Sequence, residues 1–205
     1  MSRFPHMVEI VPEGSSGNVK VEHFEVPQVS LRMLFRPSEY VTPGKYARLV
    51  INGQIMMTDT DMERTSNRTV LLCAHGHVLV AGLGLGMILH PILAKSSVET
   101  VTVLEKNPDV IKLIEPTVRH PKLTVVQADV FDWTPPPAPK FNTVYFDIWA
   151  EICGNNLKDM AFLHRRYGRW TDTSDPGRFV DSWQRDFLKR QQVKSRRNSW
   201  TRSSF

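Results

Sequence analysis

The stretch VLVAGLGLGMILHPIL, residues 78–93, constrains this chain more than any other. An apolar run meets Gly82, Gly84 and Gly86 at alternate positions and then resumes at helical spacing. A strand that ends in G-x-G-x-G before a helix turns backbone N–H groups and a helix N-terminus toward one point. Glycine permits the close approach and the unusual φ this needs. A tight turn with no ligand would use the same residues. The loop therefore predicts a strand–turn–helix unit, and its purpose depends on what surrounds it.

The surroundings alternate. Strand patterns cover 77–81, 100–105, 123–128 and 142–148, and helical patterns cover 87–95 and 108–115. Asn107 caps the second helix and Pro108 takes its first position. Pro91 has to fall in the first turn of the helix over 87–95, or it will kink it. Such alternation predicts an α/β fold, a Rossmann-like parallel sheet with helices on both faces. A helix follows over 155–167, a turn over 171–178 and an amphipathic helix over 179–192. In that last helix Phe179, Val180, Trp183, Phe187 and Leu188 face inward. No strand pattern follows residue 168, so the sheet is expected to stop after its fourth strand. The final helix would then cover the open edge or mediate self-association into a homo-oligomer.

Four segments result. Residues 1–17, with Pro5, Pro12 and a GSSG run, read as a flexible lead-in. Residues 18–76 read as a β-hairpin region and an entry helix. Asn52-Gly53 turns the hairpin, since both residues tolerate positive φ. Thr58 or Asp59 caps the helix and Gly76 ends it. Residues 77–170 form the cofactor-binding domain, and 171–205 the C-terminal helix and basic tail.

Hydrophobic content of 41% and charged content of 23% are those of a soluble globular protein. No apolar run approaches the ~20 residues needed to cross a bilayer, and no secretory signal is apparent, so no membrane association is expected. Cys73 and Cys153 form no motif, which fits free thiols and a cytoplasmic location. The net charge of +5 is concentrated in the tail, where residues 185–205 hold seven Lys/Arg against Asp186. The main body is therefore not a basic nucleic-acid binder. The tail reads as a solvated end with too little apolar content to order its last dozen residues. Trp200 and Phe205 interleave with its charges and leave nucleic-acid contact open there.

Acids stand where a ligand would need them. Glu105 ends the second strand, roughly twenty residues past the glycines, where a carboxylate can accept both ribose hydroxyl protons. Asp129 follows the third strand and can accept from an adenine amino group. Asp147 ends the fourth, where reacting groups would lie. A dinucleotide fingerprint needs a small residue where Met87 stands, and no Gly-Lys-Ser/Thr follows for a P-loop. A compact nucleoside such as S-adenosylmethionine is what remains.

VLVAGLGLG, VTVLEKNPDVI, LTVVQADVFDW and FNTVYFDIW resemble the strand-end motifs of class I S-adenosylmethionine-dependent methyltransferases. LVINGQIMMTDTDMERTSNRTVL resembles the hairpin and helix entry of spermidine synthases in particular. Together they cover residues 45–150. The resemblance implies a cofactor site at Gly82, Leu83, Gly84, Gly86, Glu105, Lys106, Asp129, Val130 and Asp147. Where spermidine synthases carry an acid inside the glycine loop, this chain has Leu85. Their second catalytic acid falls at Ala150, and their substrate Tyr-Gln pair at Thr65 and Ser66.

An intact carboxylate on S-adenosylmethionine suits backbone N–H groups and needs no acid at Leu85. Methyl transfer from S-adenosylmethionine to an unidentified small-molecule acceptor is thus expected ahead of aminopropyl transfer from its decarboxylated form. A non-catalytic or regulatory binding protein is the other reading. Asp147 and then Glu151 are the candidate catalytic acids, with a cap or cofactor contact as the alternative for Asp147. Trp149 and Asp61 are candidate substrate contacts; packing serves Trp149 as well. His90 reads as a satisfied core histidine. His75 and His77 have no partner at ligand spacing, so no metal site is expected.

Overall fold

Asn52 at φ 53° and Gly53 at φ 79° make the tight turn that the Asn-Gly pair predicts. It joins β3 (Gly44–Ile51) to β4 (Gln54–Thr58). With β1 (Gly14–Ser16) and β2 (Val19–Val26) these form a four-stranded antiparallel sheet in the order β1-β2-β3-β4. The structure, a computed structural model, describes residues 4–28 and 41–202, with side chains to residue 195.

The lead-in is built into this sheet rather than loose. Met7 opens a single 3-10 turn, is fully buried, and donates its N–H to Asp59 Oδ2 at 2.7 Å. The other Asp59 oxygen accepts from Ala47 N–H at 2.7 Å. Asp59 is therefore a buried clasp and not the expected helix cap. Pro and Gly mark turns, but a long-range hydrogen bond can still order the segment that holds them.

The entry helix is broken in two, α1 (Asp61–Ser66) and α2 (Arg68–Cys73). The break is at Asn67, whose side chain donates to the Glu63 carbonyl at 3.1 Å. Asparagine competes in this way with the helical ladder.

Five parallel strands follow: β5 (Gly76–Ala81), β6 (Val98–Glu105), β7 (Leu123–Gln127), β8 (Thr143–Phe146) and β9 (Phe179–Ser182). Their order is β7-β6-β5-β8-β9. Alternate side chains leave opposite faces. Val78, Val80, Val101 and Val103 join one core with Ile92 of α3 (Leu89–Leu93) and Val110 and Ile114 of α4 (Pro108–Ile114). Leu79, Ala81, Leu104, Val144 and Phe146 join another with Leu163 and Tyr167 of α5 (Asn156–Gly168). This is the expected Rossmann-like sheet with helices on both faces. Pro91 is the third residue of α3, and Asn107 Oδ1 caps α4 by accepting from Asp109 N–H at 2.9 Å.

The sheet does not stop at its fourth strand. Residues 179–182, expected to open a helix, are β9, paired with β8 in register Thr143↔Phe179. Gln184 at φ 57° then turns the chain into α6 (Arg185–Arg202). No helix can run through a left-handed residue, so the apparent helical spacing of Phe179, Val180 and Trp183 is coincidental. The helix also continues past the point where low apolar content predicted it would end. Trp200 and Phe205 lie outside the described side chains. Among the described residues no helix is long and apolar enough to cross a membrane.

Candidate active site

The strand order reverses beside β5. The chain leaves β5 for β6 on one side and later returns to β8 on the other. In open parallel sheets such a switch point leaves a crevice at the strands' carboxyl ends. Here it holds a cavity of about 390 Å³, roofed by the hairpin residues Leu49, Ile51, Met56 and Met57. That size suits a small ligand.

Gly82, Leu83, Gly84, Glu105, Lys106, Asp129, Val130, Asp147 and Trp149 all line it. Gly86 does not; it is buried beneath. The absent side chains make room chiefly for the protein itself. A Cβ on Gly82 (φ 98°) would lie 2.1 Å from the Asp147 carbonyl oxygen. On Gly86 it would lie 2.6 Å from Val118 Cγ1, and on Gly84 2.5 Å from Met57 Sδ. The glycine loop is thus pressed onto the strand ends, and only Gly82 and Gly84 border the cavity.

Glu105 is fixed by two amides. Leu83 N–H donates to Oε2 at 3.0 Å and Asn107 N–H to Oε1 at 2.8 Å. A carboxylate oxygen can accept more than once, so both keep capacity for hydroxyl donors. Asp129 Oδ1 accepts from Phe131 N–H at 2.9 Å. Its Oδ2 has no protein partner among the described residues. Trp149 lines the cavity while packing on the second core.

Asp147 has a partner that the sequence reading missed. Glu63, 7% exposed on α1, lines the same cavity. Burial, reinforced by the charge of Asp147, raises the Glu63 pKa to about 8. Burial raises Asp147 to about 7, against a hydrogen bond from Asn67 that favours its charged form. Tyr145 OH donates to Asn67 Oδ1 at 2.8 Å, which turns the Asn67 amide nitrogen toward its acceptors. The pair therefore titrates together near neutrality. Such a site can hold a cation and accept a proton from it. A signal for Glu63 existed: it lies one helical turn before Asn67 on the segment that resembles a substrate helix.

Other candidates lie elsewhere. Glu151 is exposed and its Oε1 accepts from Gln54 Nε2 at 3.2 Å, outside the cavity. Asp61 is exposed and accepts from Thr42 Oγ1. A loop and a helix start both turn their acids to solvent unless something buries them, and nothing buries these. His75 bonds Asp175 Oδ2 at 2.7 Å at the opposite, amino end of β5. His90 is not satisfied: its buried Nε2 has no partner among the described residues, and burial lowers its pKa.

No family model matches the chain. A polyamine aminopropyltransferase of Leptospira interrogans is 28% identical over an alignment of 144 positions that covers 62% of this chain and 29% of that protein. The likeness is to polyamine aminopropyltransferases. Polyamine aminopropyltransferase 1 of Streptomyces coelicolor is 29% identical over 113 residues, 49% of this chain and 21% of that one. The chain spans less than a third of the length of either aminopropyltransferase.

Among solved structures, the N-methyltransferase NodS from Bradyrhizobium japonicum WM9 is 16% identical with a TM-score of 0.46, over 60% of this chain and 68% of that one. The spermidine synthase from Thermotoga maritima is 19% identical with a TM-score of 0.41, over 65% and 46%. The fold assignment rests on the strand order itself.

Proposed function

We propose that this chain is a transferase that takes S-adenosylmethionine as donor and methylates a small amine. The observation that carries the reading is the meeting, in one cavity, of two separate acceptor sets. Glu105 and the free Asp129 Oδ2 suit a ribose diol and an exocyclic amine. Glu63 and Asp147 suit a cation.

The donor sulfonium supplies an electrophilic carbon. Glu105, braced by Leu83 and Asn107, would hold the sugar, and Asp129 the base. Glu63 and Asp147 would bind the acceptor as an ammonium ion and then take its proton, leaving a nucleophilic nitrogen. Trp149 and the hairpin methionines would keep water from the reacting atoms.

Aminopropyl transfer from decarboxylated S-adenosylmethionine is the second reading, favoured by the likeness to aminopropyltransferases. Against it stands Leu85, fully buried where an acid would face the donor's ammonium. Incubation with amines and either methyl-labelled S-adenosylmethionine or aminopropyl-labelled decarboxylated donor separates the two. Label from the first donor in the amine supports methyl transfer; label from the second alone replaces it with aminopropyl transfer. Binding of both donors with no transfer to any amine would leave a binding protein in their place.

A further inference from the structure

Leu49 pairs with Met57 and Val50 with Ile55, so Met56 is the extra residue of a β-bulge in β4. Neighbouring residues in a regular strand point to opposite faces; a bulge re-aims them. Here it lets Met56 and Met57 both line the cavity. Met57 reaches the glycine loop. Its Sδ accepts from Leu85 N–H at 3.4 Å and occupies the space a side chain on Gly84 would need. Of the loop's other amides, Gly82 N–H donates to the Leu104 carbonyl at 2.8 Å, Leu83 N–H to Glu105 and Gly86 N–H to the Leu83 carbonyl at 2.9 Å, while Gly84 N–H has no partner among the described residues. A thioether is a weak acceptor, whereas a carboxylate on a backbone N–H is a strong one.

We infer that Met57 sets donor specificity. Its thioether covers Leu85 N–H, one of two glycine-loop amides left for the carboxylate of an amino-acid-bearing nucleoside, and so narrows the preference for that ligand over its decarboxylated form below what Leu85 alone would give. The inference rests on the nucleoside-donor reading given above. It also gives the bulge a purpose, since an unbulged β4 would turn one of the two methionines away.

The test is calorimetric titration of the whole chain with S-adenosylmethionine, its decarboxylated form and 5′-methylthioadenosine. Met57→Ala is expected to shift the affinity ratio of the first two ligands by about 3–10-fold toward the carboxylate form, each tenfold being about 1.4 kcal/mol. Affinity for 5′-methylthioadenosine should stay within about twofold, because that ligand has no carboxylate to place. Met57→Val, a milder change suited to a strand, is read in parallel and should move the ratio the same way. Met56→Ala, in the same wall but off the loop, should leave the ratio alone. An unmoved ratio in both Met57 variants, or an equal shift in Met56→Ala, overturns the assignment while 5′-methylthioadenosine binding preserves the nucleoside reading. Failure of all three ligands to bind wild type overturns both.

Discussion

Glu63 of α1 and Asp147 at the end of β8 face one cavity, and burial keeps both carboxyl groups protonated above the usual range, with the charge of Asp147 raising Glu63 further. They arrive from a helix and a strand end, and Asn67 stands between them, bonded to the backbone of one and the side chain of the other.

That pairing makes stability depend on pH. The folded Glu63 holds its proton to about pH 8, whereas the unfolded chain releases it near 4.5, the ordinary value for a glutamate. Between those values the native state binds more protons, so stability falls as pH rises. Glu63→Gln removes this dependence. The variant should exceed wild type by about 1–3 kcal/mol at pH 8.5 and gain nothing at pH 4. Urea denaturation across pH checks it, and parallel curves for the two proteins would refute the shift.

If Asp147 takes the acceptor's proton, transfer should rise with pH through about 7. Asp147→Asn should lower the rate by roughly 10²–10⁴. Glu63→Gln should instead retain activity and leave the rising limb in place, since Glu63 still holds its proton where Asp147 loses its own. Initial rates from pH 5 to 9 distinguish the roles.

Glu105→Ala should weaken donor binding about 10–100-fold and lower stability by about 1–2 kcal/mol, because the Leu83 and Asn107 amides lose their acceptor. Glu151→Ala and Asp61→Ala, both outside the cavity, should bind the donor as wild type does. Titration calorimetry and thermal melts read both quantities.

Gly82→Ala tests the loop itself. Its Cβ would meet the Asp147 carbonyl in a backbone conformation that disfavours side chains. A loss of about 2–4 kcal/mol is expected, with donor binding abolished. A fully stable Gly82→Ala would mean the loop is not pressed onto β8.

Much of this was legible in the residues. Strand–helix alternation, the Asn52-Gly53 turn and the Asn107 cap are local patterns, and local patterns persist into the fold. Glu105, Asp129 and Asp147 were legible because a strand end fixes where an acid must lie. Glu63 was marked only by the segment it lies on, since its place in the site depends on α1 packing over the crevice. Asp59 looked like a cap by sequence, but Met7 and Ala47, both distant, claim its oxygens. β9 was lost for a different reason: four residues are too few to separate a period of two from one of 3.6. Met57 depends on a bulge, which leaves no mark in composition.

Trp183, directly after β9, borders the cavity and ties itself to α1 through Nε1 and Ser66 Oγ at 2.9 Å. During synthesis from the N-terminus, the glycines and acids emerge long before this indole does. The pocket therefore lacks a wall until residue 183 has left the ribosome, and a nascent protein can fold most of its sheet without yet being able to close around a ligand.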